Sequence, residues 1–346
     1  MTEKEYRAIP TNSSSSLKEF SIDKRKYRKI YILKEREDED DDSLAATMGR
    51  LVETILMEPE RFDDMFYMSA CASVPGAVML SFVNALVKVT IDNTDPDTGE
   101  VTMDFLDMAT IAYTNSDCKQ KLETVIKSFS GSDAEIYYEE LVKVKINNLT
   151  VITPKDVNNA ERVVEELVFN PITATIVNLK TGPRFEVANQ LKIKDFDIDG
   201  MPMKGMLDKV IIDHTSKTIQ LYDLKCTWSV EKFYKEYYLY RRAYIQGYTY
   251  YKALQSITLK PGNPYSGYEV LLPKFIVCDS INYYSPLIYE MSEQDIKDAY
   301  LGFERRGYYY PGVKEIIDEL NWSIKNDKWN ISKKNFDNAG LVKLEY

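Results

Sequence analysis

The chain has 346 residues, of which 44% are hydrophobic and 28% are charged. This composition is typical of a soluble globular protein with one large domain or two ordinary ones. No run of about 18 uncharged apolar residues occurs, which argues against a membrane-spanning helix. The N-terminal segment MTEKEYRAIPTNSSSS lacks the apolar core of a signal peptide, so we expect a cytoplasmic protein.

The formal net charge is −10, and His214 is the one histidine in the sequence. This balance argues against a surface that attracts nucleic acid everywhere, although a basic groove within an acidic surface remains compatible with it. A metal site with two histidines is excluded. The four cysteines, Cys71, Cys118, Cys226 and Cys278, are far apart in sequence, which favours reduced thiols over a zinc or iron–sulfur site.

Charge divides the N-terminal region into two parts. A basic helix is predicted over 14–31, where it begins with serine, and the acidic run at 34–42 is predicted to be a solvated loop. Residues 1–42 are therefore assigned to a basic N-terminal helix and an acidic loop. Residues 43–346 are assigned to a single domain with a helical insertion at about 60–180, because no low-complexity linker divides them.

Two elements are predicted in the first half of that domain. Ser43 is expected to cap a helix that ends near Pro59 and places Gly49 and Glu53 on one face. Within the predicted insertion, residues 87–106 alternate around the sequence DPDTG, which indicates a β-hairpin.

The second half alternates between strand and helix patterns. Strands are predicted at 186–195, 203–212 and 218–226, and a long helix is predicted over 230–254. A further strand, PKFIVCDS, and two more helices follow it. This order predicts an α/β fold with a central sheet flanked by helices.

A pair of aspartates is predicted to face one another on adjacent strands. If His214–Lys217 forms the turn, Asp208 lies opposite Asp223, and Lys225 shares their face. Two facing carboxylates repel each other unless a cation lies between them. Oxygen ligands favour Mg²⁺, with Mn²⁺ as a substitute, and Lys225 would orient or deprotonate a bound water. The alternative is a solvated strand face with charges placed by chance.

The helix after these strands carries a polar stripe. Arg242, Gln246 and Tyr250 are spaced four residues apart, and Arg241 lies beside them. Arginine suits phosphate contacts, and tyrosine suits base stacking. Lys18, in the basic N-terminal helix, is a further candidate for a phosphate contact. Many tyrosines crowd the same helix, so a core or interface role is the alternative for this stripe.

The string GMLDKVIIDHTSKTIQLYDLKCT, followed by Gln246 and Tyr250 in a QxxxY pattern, resembles the PD-(D/E)XK nuclease superfamily. Within it, the sequence is most similar to phage and prophage exonucleases of the RecE (exodeoxyribonuclease VIII) and YqaJ type, in the RecB-like group. The resemblance covers most of the chain and implies a central mixed sheet with a restriction-endonuclease-like core.

The resemblance also implies roles for individual residues. Asp208, Asp223 and the Leu224 carbonyl would bind metal, Lys225 would be the catalytic lysine, and Gln246 and Tyr250 would line the DNA path. Glu53 stands where many relatives have histidine and could serve as a carboxylate ligand. Two residues, Glu186 and Gln190, compete for the acidic position before the GxxD strand, and Glu186 is favoured because a carboxylate can bind metal.

The expected function is that of a Mg²⁺-dependent deoxyribonuclease, and specifically an exonuclease that resects linear duplex DNA ends in phage recombination or replication. A strand-annealing protein and further copies of the chain are the expected partners, with no membrane. The alternatives are an endonuclease on the same core, a catalytically silent DNA-binding or scaffold protein, and a structural protein in which the aspartate register is coincidental.

Overall fold

A computed structural model of the chain describes residues 3–35, 44–69, 75–95, 98–147 and 149–342. Two compact units are present. The first combines Met1–Glu58 with Ala160–Tyr346, and the second is Pro59–Asn159. The predicted cap Ser43 and most of the acidic run at 34–42 lie outside the described residues.

The elements follow one another through both units. The first helices are α1 (Glu3–Ala8), α2 (Ser14–Ile22), α3 (Lys24–Tyr27) and α4 (Leu44–Met57). The second unit contains α5 (Phe62–Met65), β1 (Phe66–Met68), α6 (Ala77–Asp92), α7 (Phe105–Thr114), α8 (Leu122–Phe129), α9 (Asp133–Asn147) and β2 (Thr150–Ile152). After α10 (Pro154–Phe169), the chain continues with α11 (Ala174–Val177), β3 (Phe185–Ile198), β4 (Met201–Asp213), β5 (Thr218–Thr227), α12 (Ala243–Thr258), β6 (Glu269–Val270), β7 (Lys274–Asp279), β8 (Leu287–Glu290), α13 (Glu293–Leu301), β9 (Phe303–Arg305), β10 (Tyr308–Tyr310), α14 (Val313–Asn326) and α15 (Lys333–Asp337).

The centre of the first unit is a mixed six-stranded sheet. Its strands follow the order β3-β4-β5-β7-β8, and β6 also pairs with β5. The pairs β5–β7 and β5–β6 are parallel, whereas β3–β4, β4–β5 and β7–β8 are antiparallel. Helices α4 and α12 both pack against β5. The predicted α/β fold, a central mixed sheet flanked by helices, is confirmed.

The hairpin of β4 and β5 has the predicted register. Asp213 pairs with Thr218, and the ladder continues in step to the pair Lys209–Tyr222. Lys217, the last residue of the turn, has a φ of 56°. Val210 pairs with Leu221 and Ile212 with Ile219, and all four side chains are buried. A slip of one residue would separate these apolar pairs, so their burial favours this register.

The predicted continuous helix over 230–254 is wrong, because the chain is broken at Arg242. A 3₁₀ turn at Val230–Lys232 and a π-helix at Tyr234–Tyr240 come first, and α12 begins after Arg242. Arg242 has a left-handed φ of 57°. Phe233 and Tyr238, before the break, are buried in the core next to Phe275, and this packing accompanies the departure from a regular helix.

In the second unit, the predicted hairpin over 87–106 is also wrong. Its first half is the end of α6, and only a bridge between Thr94 and Val101 joins the segments around the turn. Val87 and Val89, two of the β-branched residues that suggested a strand, are buried on the helix with Phe82 and Leu86. Burial of α6 in a helical core therefore decides its structure over the local preference for a strand.

Among the described residues, we find no helix both long and apolar enough to cross a membrane.

Candidate active site

Asp208 and Asp223 lie on adjacent strands at the point where the β4–β5 ladder stops. The next backbone pair after Lys209–Tyr222 would join these two aspartates. Instead, Leu224 N donates a hydrogen bond to Asp208 Oδ2 at 2.8 Å. Only 8% of Asp208 and 1% of Asp223 are exposed. Two carboxyl groups are thus held in a buried position by a short antiparallel hairpin.

Burial changes the acidity of Asp208. Loss of water raises the pKa of this carboxyl well above its usual value, and the negative charges of Asp223 and Glu53 raise it further. Lys225 and the Leu224 N–H act in the opposite direction. Any additional positive charge beside Asp208 would therefore stabilise the ionised form of its carboxyl.

Lys225 is the cation inside this group of acids. Its Nζ forms an ion pair with Asp223 Oδ2 and donates to the Leu224 carbonyl at 3.3 Å. Burial alone would lower the pKa of Lys225, but the carboxylates of Asp223, Asp208 and Glu53 together raise it above its usual value. Lys225 is therefore held as an ammonium group by its acidic neighbours.

Glu53 reaches the same group of acids from α4. Burial is the main reason that the pKa of its carboxyl is raised, and Asp223 contributes in the same direction while Lys225 opposes it. Gln190 Nε2 donates a hydrogen bond to Glu53 Oε1. We refer to Glu53, Asp208, Asp223 and Lys225 as the acidic cluster.

Gln190 interrupts β3 beside the acidic cluster. The pairs Asn189–Lys209 and Leu191–Leu207 flank it, so its position in the ladder is opposite Asp208. Its φ is 49°, in the left-handed region that side chains rarely adopt. Strained backbone of this kind costs on the order of 1 kcal/mol or more and is often found at functional sites.

Glu186 lies elsewhere on β3. It pairs with Ile212, four positions along the strand from Gln190. The Tyr265 hydroxyl donates to its two carboxylate oxygens at 2.8 and 2.9 Å, and His214 Nε2 lies 3.6 Å from Oε2. Of the two residues that competed for the position before the GxxD strand, Gln190 is the one beside the acidic cluster.

Gln246 connects α12 to the acidic cluster. Its Nε2 donates to Asp223 Oδ1 at 2.8 Å and lies 3.3 Å from the Tyr250 hydroxyl. Burial raises the pKa of Tyr250 well above its usual value, so this hydroxyl stays protonated. The two residues of the QxxxY pattern are both buried and are joined to Asp223.

Lys18 reaches Gln246 from α2, the N-terminal helix. Its Nζ donates to Gln246 Oε1 at 3.3 Å. Burial, followed by repulsion from Lys225, lowers the pKa of Lys18 to about 8, although Asp223 and Asp208 oppose this change. The position of α2 is set by the capping box of Ser13 and by burial of Leu17 next to Lys18. The predicted serine cap is confirmed, but the single helix predicted over 14–31 is wrong. Asp23 ends α2 and caps α3, and a π-helix at Arg28–Ile32 follows.

The two arginines of the predicted stripe do not join this network. Arg241 is exposed, and its guanidinium lies 4.5 Å from the centre of the Tyr237 ring. Arg242 precedes α12, and burial lowers the pKa of its side chain. Within the described ranges, no hydrogen bond or ion pair connects either arginine to the acidic cluster. The stripe is therefore limited to Gln246 and Tyr250.

The candidate metal ligands at this site are the carboxyl groups of Glu53, Asp208 and Asp223 and the backbone carbonyl of Leu224. Across the described residues, no three side chains of His, Cys, Asp or Glu already stand in an arrangement that could hold a metal ion. Asp223 instead forms an ion pair with Lys225, and Glu53 accepts a hydrogen bond from Gln190. Three carboxyl groups and the Leu224 carbonyl nevertheless offer oxygen atoms of the kind that a hard divalent cation binds, and such a cation would favour the ionised forms of the acids.

Two contacts in and behind the site were missed by sequence reasoning. Lys18 was expected to contact phosphate, but its connection to Gln246 across 228 residues has no local sequence signal. Cys226 and Cys278, far apart in sequence, have their sulfur atoms 3.2 Å apart. Only the parallel pairing of β5 with β7 brings these cysteines together.

No protein-family model matches the sequence. No curated protein matches it either. A crystal structure of a candidate exonuclease from Eubacterium rectale aligns with 100% of this chain and 96% of its own, at a TM-score of 0.49 and 12% sequence identity.

Proposed function

We propose that the protein is a metal-dependent deoxyribonuclease that hydrolyses DNA phosphodiester bonds. The observation that carries the proposal is the ion pair of Lys225 with Asp223 beside the buried carboxyl of Asp208. These residues are a D…DxK set on two adjacent strands, and the sequence around them resembles PD-(D/E)XK nucleases. Lysine and acids that are buried together and shift one another's pKa are typical of catalytic sites.

Mg²⁺ is the proposed cofactor, and Mn²⁺ is expected to replace it. Asp208, Asp223, Glu53 and the Leu224 carbonyl would hold the ion, because all four offer oxygen atoms and three are carboxyl groups that a cation would favour in their ionised form. Glu186 is not included, since its carboxylate is bound by Tyr265. When bound, a divalent cation would polarise the phosphate and lower the pKa of a coordinated water.

The side chains around the acidic cluster have separate roles in the proposed reaction. Lys225 would orient the attacking water and stabilise the charge that develops on the phosphate. Gln246 would hold Asp223 in position through the 2.8 Å hydrogen bond. Lys18, which contacts Gln246, would approach the phosphate backbone as a positive charge.

We further propose that the enzyme acts as an exonuclease on the ends of linear duplex DNA, in phage recombination or replication. Support for this step comes from the similarity of the motif to exonucleases of the RecE and YqaJ type. A strand-annealing protein would then be a natural partner, because resection exposes single strands, and assembly into a homo-oligomer would hold the enzyme on its substrate.

The first experiment measures DNA degradation by the purified protein with Mg²⁺ and with a chelator. Linear duplex and closed circular DNA of the same sequence are compared. We expect Mg²⁺-dependent loss of the linear DNA only, whereas equal cleavage of the circle would indicate an endonuclease.

Two variants test the assignment of residues. Lys225→Ala and Asp223→Ala should each reduce the rate by at least about 100-fold, since each removes a group that acts on the reacting atoms. Lys274→Ala is the matched control, because Lys274 also lies on a central strand but pairs with Glu290. Activity that survives both substitutions would contradict the proposal, and binding of DNA with no cleavage by the unaltered protein would favour a silent DNA-binding protein.

A further inference from the structure

A pair of thiols lies directly behind the catalytic strand segment. Cys226 of β5 and Cys278 of β7 are partners in the parallel ladder, and their sulfur atoms are 3.2 Å apart. Both are free cysteines. Side chains alternate along β5, so Cys226 lies on the face opposite to Asp223 and Lys225. No step of the proposed hydrolysis uses these thiols.

The backbone geometry of this pair suits a covalent link. Neighbouring strands lie about 4.8 Å apart, which falls within the Cα separation of about 4.4–6.8 Å found for disulfides. The sulfur atoms would need to approach by about 1 Å to reach a bond of about 2.05 Å. Because their strands are already paired in register, the two thiols face one another before any link forms.

The two thiols differ in access. Cys226 is partly exposed, whereas only 2% of Cys278 is exposed. A small disulfide in solution would therefore reach Cys226 first. The buried Cys278 would then lie within reach of the sulfur that had reacted, as expected for a resolving cysteine.

We propose that Cys226 and Cys278 are a reversible oxidation site for low-molecular-weight disulfides such as oxidised glutathione. The Cys226 thiolate attacks the glutathione disulfide, forms a mixed disulfide and releases one glutathione thiolate. Cys278 then attacks Cys226 Sγ, forms the protein disulfide and releases the second glutathione. Two protein thiols are oxidised, one glutathione disulfide is reduced to two thiols, and the two thiol protons pass to solvent or to the released thiolates.

The disulfide would act on the proposed catalytic residue next to it in sequence. Cys278 Sγ lies 3.6 Å from the carbonyl oxygen of Lys225, so movement of either sulfur is transmitted to the Lys225 backbone. A displacement of about 1 Å in a catalytic group can reduce a rate by about 100-fold. We therefore expect oxidation to slow DNA hydrolysis by at least about tenfold, a consequence that rests on the proposed nuclease function.

The test has a chemical readout and a catalytic one. The full chain is incubated with oxidised or reduced glutathione, and intact mass and non-reducing peptide mapping are measured. We expect a loss of two hydrogens in mass and one new peptide that links Cys226 to Cys278. The same samples are then assayed for Mg²⁺-dependent cleavage of linear DNA before and after dithiothreitol.

Three variants make the outcome specific. Cys226→Ala and Cys226→Ser should form no link and keep the same rate in both glutathione states, whereas Cys118→Ser should behave like the unaltered chain. Absence of the linked peptide, or a link that leaves the rate unchanged, would overturn the inference. If the link forms but no cleavage occurs in either state, the proposed nuclease function fails while the oxidation site itself stands.

Discussion

Asp208 Oδ2 accepts a hydrogen bond from Leu224 N at 2.8 Å, where the next rung of the β4–β5 ladder would otherwise form. A side chain thus takes the place of a backbone acceptor. This bond fixes the Asp208 carboxylate beside the peptide group of Leu224. The Leu224 carbonyl also accepts from Lys225 Nζ, so both ends of one residue connect to the acidic cluster.

This relationship separates the structural role of Asp208 from its charge. Asp208→Asn keeps an oxygen acceptor for Leu224 N. It removes a buried carboxyl group whose pKa is raised by burial, and with it the cost of ionising that group. We expect an unchanged or higher free energy of unfolding without metal, together with loss of cleavage.

Asp208→Ala is the matched variant, because it leaves the buried Leu224 N–H without its partner. Its free energy of unfolding should fall by about 1–3 kcal/mol relative to Asp208→Asn. Urea unfolding in the presence of a chelator measures both. Equal stability of the two variants would show that the hydrogen bond contributes nothing measurable.

Gln190 provides a test of cation binding. Gln190→Glu places another carboxylate next to Glu53, to which Gln190 now donates. Repulsion between the two should lower the melting temperature in chelator, and Mg²⁺ should restore it, because an added anionic ligand strengthens binding of the cation. The Mg²⁺ concentration for half-maximal cleavage should fall. Gln190→Met is the control, because it removes the amide without adding charge, and it should not lower the Mg²⁺ concentration for half-maximal cleavage. An unchanged Mg²⁺ requirement in Gln190→Glu would count against a cation at this position.

Gln246 is predicted to be a positioning residue. Gln246→Met preserves the size of the side chain but removes the donor to Asp223 and the acceptor for Lys18. We expect kcat to fall by about 10-fold to 100-fold, because Asp223 loses its fixed orientation. Steady-state kinetics on linear DNA separate this effect from a change in KM. Gln255→Met, on the same helix but bonded to Lys252, is the control, and a similar loss there would indicate general damage to α12.

Lys18 gives a prediction of pH dependence. Burial lowers its pKa from 10.5 to about 8, so the native state releases this proton at lower pH than the unfolded chain. The unfolded state therefore binds more protons between pH 8 and 10.5, and the Lys18 contribution to stability becomes more favourable as pH rises through that range. Below pH 8, the buried ammonium is destabilising by at most about 3 kcal/mol.

The measurement compares Lys18→Met with the unaltered chain by urea unfolding in chelator at several pH values. Lys18→Met should be the more stable protein at pH 7, and this advantage should shrink as pH approaches 10. Lys26→Met removes an exposed lysine paired with Glu19 and should show no such trend. A constant difference between Lys18→Met and the unaltered chain would contradict the lowered pKa.

Local patterns predicted the hairpin of β4 and β5 well. Two runs rich in apolar residues flank a turn of four residues, and the ladder follows directly from that turn. Asp208, Asp223 and Lys225 all lie on this hairpin, so their proximity could be predicted from the sequence alone. A hairpin is favourable for such predictions because partners close in sequence define its register.

Contacts between distant segments could not be predicted in this way. The left-handed backbone of Gln190 and of Arg242 depends on packing, since neither residue type favours that conformation. The helix α6 carries β-branched residues that favour strands when isolated. Pairing of Cys226 with Cys278 depends on which strand lies beside β5, and local periodicity carries no information about strand order.

The hydrogen bonds around the acidic cluster join residues that are synthesised at very different times. Glu53 and Gln190 are separated by 137 residues, and Lys18 and Gln246 by 228. The β4–β5 hairpin can form early because its contacts are local, whereas contacts across such long separations form slowly. A chain still emerging from the ribosome before Gln246 would therefore carry its aspartates and lysine without the amide that holds them. Competence for the proposed hydrolysis would then be acquired late in synthesis, when α2 and α12 finally meet.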